Sequence, residues 1–215
     1  MNDEQQATME GPPLATGLKP PPSKAMGLTR LRLTGLGGIA LFVIAYLWGD
    51  PQMVRWSLPL GAVISMIGLL IRIWATGWLT KNELLVTRGP YSLTRNPLYL
   101  GTLLITFGHS LMSGVPVAPF LFTALWFAVY LPTMGEEQDY LAARYGAAFE
   151  AYRARVPILL PRLLGTARSE LTPAAGEADG QEFSWPRVRR CYKGFIANTV
   201  VILAYVAIHA AQGRY

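Results

Sequence analysis

The sequence predicts an all-α, polytopic membrane protein of about five transmembrane helices, including a helical hairpin, plus a cytoplasmic interfacial helix. Three observations carry that prediction. Hydrophobic residues make up 52% of the 215-residue chain and charged residues only 15%, where soluble domains carry about 25% charge. The apolar residues gather into runs. The basic residues collect at alternate ends of those runs. The apolar content excludes disorder over the whole chain, and a single cysteine excludes a disulfide scaffold. Buried helices of a soluble protein are the competing reading, but such long runs leave little of the chain to solvate them.

Residues 1–30 are polar and Pro-rich, with Pro12, Pro13, Pro20, Pro21 and Pro22. They read as a flexible or extended tail, and the charge-then-apolar order of a cleavable leader is missing. Residues 31–57 hold a first span, the uncharged run 33–48, and a short outer loop. Gly35, Gly37, Gly38 and Ala40 superficially suggest a dinucleotide fingerprint, but no strand precedes them, and close helix packing explains them better. Residues 58–164 form the core. The run 58–80 is interrupted only by Arg72, and the runs 99–113 and 115–134 form a hairpin. Residues 165–193 are a polar linker followed by a basic juxtamembrane segment, and 194–215 carry the last span, 194–212. A span needs about 20 apolar residues. The second, fourth and fifth runs meet that; the first and third are shorter and call for interfacial help or a thinned bilayer.

The charges set the orientation. Lys19, Lys24, Arg30 and Arg32 precede span one, and Lys81, Arg88 and Arg95 follow span two. Arg144, Arg153, Arg155, Arg162 and Arg168 follow span four, and Arg187, Arg189, Arg190 and Lys193 precede span five. Arg55 and Arg214 fall on the other side. The positive-inside rule then puts the N-terminus in the cytoplasm and the C-terminus outside. The net charge of +6 reads as a topology signal plus attraction to anionic lipid. No nucleic-acid partner is expected, because no basic groove interleaved with aromatics is visible.

Two polar blocks interrupt the apolar plan. Residues 81–101 bring Arg88, Tyr91, Arg95, Asn96 and Tyr99 to the start of span three, with Pro90 and Pro97 between them. Asn96 is a candidate N-cap and Pro97 a candidate first helical residue. The block reads either as a capped juxtamembrane helix with snorkelling arginines, or as a helix N-terminus poised for a polar ligand. In residues 135–161, Leu141, Tyr145, Ala148, Phe149 and Tyr152 recur at spacings of three and four, one face of a helix. Glu136 and Glu137 are expected in its first turn, where the helix dipole favours acids. Either they only complement that dipole, or one of them faces the arginines of the first block across a cleft. Arg72, inside a span, is costly unless paired or near water; it is either a snorkelling, packing residue or a ligand contact. His109 and His209 have no cysteine or acid at ligand spacing and read as packed or interfacial. Cys191 is expected to be an unpaired juxtamembrane thiol and Trp185 an interface anchor.

Together the blocks resemble the isoprenylcysteine carboxyl methyltransferase family, related to the phospholipid methyltransferases. The matching residues are Gly89-Pro90-Tyr91; Arg95, Pro97, Tyr99 and Gly101; Glu136 and Glu137; Tyr145, Gly146 and Tyr152; and Val156-Pro157 with Leu160-Pro161. Arg72-Ile73-Trp74-Ala75 is similar to a stretch in bacterial relatives. Asn96 stands where the family has histidine, and Phe149 where tyrosine is usual. Bacterial relatives share the Arg-Asn-Pro form, which implies a bacterial inner membrane.

The resemblance implies an integral membrane enzyme using S-adenosylmethionine and a lipidic or amphipathic small-molecule acceptor. The transfer would be O-methylation of a carboxylate or N-methylation of an amine. It implies a cofactor site formed by Tyr91, Arg95, Asn96, Pro97, Tyr99, Leu100, Gly101, Glu136 and Glu137, with Arg72, Asn96 and Glu137 closest to the chemistry. Arg95 would meet the methionine carboxylate, and Glu137 the amino group or the ribose. Tyr91 or Tyr99 would face the sulfonium. Two alternatives stand beside it: an NADPH-dependent membrane reductase related to steroid reductases, and a non-catalytic membrane subunit with a degenerate pocket.

Overall fold

The computed structural model describes residues 24–79, 85–161, 182–189 and 192–214, with residues 24–35 described as backbone only. The Pro-rich tail up to residue 23, the acidic linker up to residue 181 and Cys191 lie outside the described residues. Helix α1 spans Lys24–Trp48, α2 Pro51–Trp78, α3 Pro97–Met112, α4 Ala118–Tyr145, α5 Ala147–Arg155, α6 Trp185–Arg189 and α7 Tyr192–Ala211. A 3-10 turn, Gly89–Ser92, precedes α3. The described residues contain no strand, so the all-α prediction holds.

Three helices, α2, α4 and α7, are long and apolar enough to cross a membrane, and the apolar part of α1, Leu36–Trp48, is shorter. Helix α3 has 16 residues, about 24 Å at ~1.5 Å per residue, short of a ~30 Å hydrocarbon core. The expected count of five full spans is therefore not reached by length alone. Apolar side chains such as Ile39, Val63, Ile67, Phe120 and Leu203 stand exposed on the helices, as a lipid solvent requires.

The element ends follow local chemistry. Helix α1 begins at Lys24, inside the stretch expected to be tail. Helix α2 begins before the expected residue 58, because the Asp50 side chain accepts from Gln52 N at 2.8 Å and Pro51 takes the first turn. Helix α4 departs furthest from expectation. It does not end near Met134 but runs unbroken past Pro132 and Gly135 to Tyr145. Glu136 and Glu137 therefore sit deep inside a continuous helix and not in a first turn. The break falls at Gly146, whose φ of +52° is a conformation that glycine adopts readily. The face expected over 141–152 survives the break: Phe149 and Tyr152 are buried with Leu85 and Val156, and Leu141, Ala142 and Tyr145 pack against them.

Helices α2 and α3 form the closest pair, and small residues allow it. A Cβ on Gly108 would stand 2.5 Å from the Gly61 carbonyl oxygen, and one on Gly68 would stand 2.6 Å from that of Gly101. In lipid, close van der Waals approach of this kind replaces the hydrophobic drive between helices. At the end of the bundle where α2 begins, Leu41, Val54, Leu58, Met112, Phe122 and Tyr205 form one core. His209 Nε2 lies 2.8 Å from the Met112 carbonyl, and His109 Nε2 lies 2.9 Å from Asn198 Oδ1. Both histidines are packed between helices, as expected. At the opposite end, Ser184 N donates to the Gly77 carbonyl at 2.9 Å, and Phe183 rests on Trp78 and Trp185.

Candidate active site

The site is built where the C-terminal end of α2, the N-terminal end of α3 and the C-terminal part of α4 meet the segment 85–96. Two backbone carbonyls, of Pro157 and Ile158, and the Tyr152 hydroxyl hold that segment from sequence-distant elements. Arg95 N donates to the Pro157 carbonyl at 2.9 Å. The Ile158 carbonyl accepts from Asn96 Nδ2 at 2.9 Å and from Thr94 Oγ1 at 3.3 Å. The Tyr91 carbonyl accepts the Tyr152 hydroxyl at 2.7 Å. The Val-Pro…Leu-Pro ending is thus a clamp on the Arg-Asn-Pro segment. Asn96 occupies the N-cap position and Pro97 begins α3, but the Asn96 side chain makes no capping bond. This corrects the expected capping role: the amide is spent on Ile158, which the fold brings to it.

Four of the expected residues converge. The Tyr99 hydroxyl donates to Glu137 Oε1 at 2.7 Å. Arg72 lies about 9 Å from the C-terminal end of α2, at ~1.5 Å per residue. Its Nη1 donates to the Leu98 carbonyl at 3.3 Å and also to Thr102 Oγ1. The Tyr91 hydroxyl is buried without a hydrogen-bond partner. Burial pushes that phenol well above its ordinary range, Glu137 adds to the shift and Arg72 opposes it. Tyr91 therefore feels both charges and keeps its proton.

Arg95 stands beside this group. Its Nη1 donates to Gln138 Oε1, while its Nε is buried and unpartnered. Burial lowers its pKa, with nearby Arg153 adding to the effect. Glu136 is exposed on α4 and stays outside the cluster. Leu100 is buried with Trp126, Met134 and Leu159. Tyr99 packs edge-on against Tyr130 at 5.5 Å, and Tyr130 stacks on Trp126 at 4.9 Å. Gly101 meets α2 at close range: a Cβ there would stand 2.5 Å from Arg72 Cγ. Its small size serves helix packing. Gln138, Thr102 and Tyr152 belong to the arrangement as well. Gln138 and Thr102 carry no charge to mark them in the sequence, and Tyr152 reads there as a packing residue.

The fold and site define a helical membrane protein with a polar cluster of two arginines, one carboxylate and two tyrosines at one end of its core helices. Residues 57–148 match the model of the phospholipid methyltransferase family. The chain is 34% identical over 144 residues to the cobalt-zinc-cadmium resistance protein CzcN of Cupriavidus metallidurans, covering 63% of this chain and 66% of that one. It is 32% identical over 81 residues to the protein-S-isoprenylcysteine O-methyltransferase of Schizosaccharomyces pombe, covering 38% of this chain and 34% of that one. It is 38% identical over 87 residues to methanethiol S-methyltransferase 2 of Bradyrhizobium diazoefficiens, covering 37% and 30%. The chain thus spans 66% of the first relative's length and about a third of the two methyltransferases. No solved structure matches it significantly. The resemblance read from the motifs is upheld: residues 57–148 are similar to the phospholipid methyltransferase family, and part of the chain is similar to an isoprenylcysteine O-methyltransferase.

Proposed function

We propose that the protein is an integral membrane methyltransferase that uses S-adenosylmethionine and acts on a lipidic or amphipathic small molecule. The observation that carries this reading is the convergence of Arg72, Tyr91, Tyr99 and Glu137, all inside the matched segment. The cofactor's chemistry fits what is left open there. Tyr91 Oη and Arg95 Nε are buried polar atoms without partners, and each such atom costs about 1–3 kcal/mol until it is satisfied. A zwitterionic ligand carrying a carboxylate, an amine and ribose hydroxyls offers partners for both.

Arg95 would hold the methionine carboxylate by a charge-assisted bond. Glu137 would take the amino group or the ribose; Glu136, exposed outside the cluster, takes no part. Asn96, Pro97, Leu100 and Gly101 would line the adenosine through their backbone. Tyr91 or Tyr99 would face the sulfonium, an attraction of about 0.5–2 kcal/mol. Bound there, the cofactor supplies an electrophilic methyl group. The work of the chain is to align that group with the acceptor and to exclude water. Asn96 does not titrate, so no proton moves through that position. Arg72 would hold an anionic part of the acceptor or cofactor at the level of the bilayer. The basic collar supports a cytoplasmic site and N-terminus in a bacterial inner membrane, with the C-terminus outside. The fold-forming unit of this reading is 58–164, flanked by the tail 1–30, the first span and loop 31–57, the linker 165–193 and the last span 194–215.

The test is transfer by detergent-purified protein from methyl-labelled S-adenosylmethionine. The acceptor panel is phosphatidylethanolamine, a long-chain fatty acid, an isoprenoid carboxylate and an alkanethiol. Label entering at least one of them is expected, and Arg72→Ala should lower that turnover tenfold or more, about 1.4 kcal/mol or more, while the protein stays folded. Labelling of none of the panel overturns the reading. Full activity in the variant removes Arg72 from the site.

A further inference from the structure

The neighbour of Arg95 is an uncharged amide. Gln138 is buried, follows Glu137 on α4, and accepts from Arg95 Nη1 through its Oε1. Among the described residues Arg95 makes no ion pair. The charged groups that act on it are Arg153, a like charge, and Glu150, and these two already form an exposed pair with each other at 3.6 Å. A partly buried guanidinium is usually matched by a carboxylate. Here two glutamates immediately precede the position that touches it, yet the touching residue is the neutral one. Glu137 turns to Tyr99, and Glu136 is exposed.

We propose that Gln138 is a positioning residue that aims Arg95 while leaving its charge uncompensated, so that the guanidinium meets the carboxylate of an incoming amino-acid-type ligand. The amide oxygen fixes one edge of the planar fork, and the remaining N–H groups, the buried Nε among them, stay available for a bidentate bond. A carboxylate at position 138 would keep the orientation but take up the charge. The inference rests on the cofactor reading above and adds to it the reason for a glutamine at that position.

The experiment is calorimetric titration of S-adenosylmethionine into the detergent-purified full chain, as wild type, Gln138→Glu and Gln138→Met, with thermal unfolding of each. The proposal expects the affinity order wild type, then Met, then Glu. The Glu variant should bind at least about tenfold more weakly while its unfolding temperature is not reduced, and the Met variant should stay within a few-fold of wild type. A purely structural role requires the reverse order, since Glu preserves the bond to Arg95 and Met removes it. That reversed order, or a Glu variant equal to wild type, overturns the proposal. If the Glu variant does not fold, a Met variant that binds as tightly as wild type overturns it, because aiming Arg95 is then worth nothing. Wild-type protein that binds no S-adenosylmethionine removes the cofactor reading and this inference together. Wild-type binding with the wrong variant order removes the inference alone.

Discussion

Tyr152 and Tyr91 show how single residues tie the site together. The Tyr152 hydroxyl donates to the Tyr91 carbonyl, and burial pushes both phenols well above the ordinary value of 10.0. Below that value the folded and unfolded chains both keep the protons, and stability is unaffected by pH through these groups. Above it the unfolded chain ionises while the folded chain holds its protons, so stability falls as pH rises. Thermal unfolding in detergent should therefore shift down on going from neutral to strongly alkaline buffer. A Tyr91→Phe, Tyr152→Phe double variant should show a smaller alkaline loss than wild type; an equal loss would assign the effect to other groups. At neutral pH, Tyr152→Phe should cost about 1–3 kcal/mol, the scale of a buried carbonyl left unpaired. At this scale the sequence marks charges well and neutral groups poorly. Arg72, Arg95 and Glu137 stand out because ionisable residues are scarce in an apolar chain. Asn96 has the sequence signature of a cap, but its partner is 62 residues away, beyond any local pattern.

At the scale of elements, α4 and the α2–α3 pair position everything else. The run of apolar residues ends near Met134, and from hydropathy that looks like the end of a helix. Yet nothing in the Gly135-Glu136-Glu137 stretch breaks an α-helix once neighbours satisfy its backbone, and Pro132 is tolerated inside it. The continuous helix carries Glu137 and Gln138 directly down from the aromatic wall of Trp126 and Tyr130. Against α2, Gly101 and Gly108 let α3 come close enough for Arg72 to reach Leu98 and Thr102. Gly108→Val should push the two backbones apart and cost about 1–3 kcal/mol or more. A lowered unfolding temperature together with weakened S-adenosylmethionine binding would show that packing and site are coupled. An unchanged unfolding temperature would contradict the close approach of the two helices.

At the scale of the molecule, hydropathy and charge make the membrane class legible, and they do so without any motif. The number of full crossings is less legible, because α3 is short and its run is judged by composition alone. The proposed orientation has a direct check. In a Cys191→Ser background, Gln52→Cys at the exposed start of α2 should react with an impermeant maleimide in intact cells. Leu160→Cys, 73% exposed at the other end, should react only after permeabilisation. The opposite pattern would invert the orientation.

The proposed activity depends on the ligand that Arg95, Tyr91 and Glu137 receive. Calorimetry on the detergent-purified full chain, titrated separately with S-adenosylmethionine and with NADPH, tests it most directly. The account predicts saturable binding of S-adenosylmethionine, weakened about tenfold or more by Arg95→Ala, and no binding of NADPH. Binding of NADPH alone would make the protein a reductase, and binding of neither a non-catalytic subunit; either result contradicts the account.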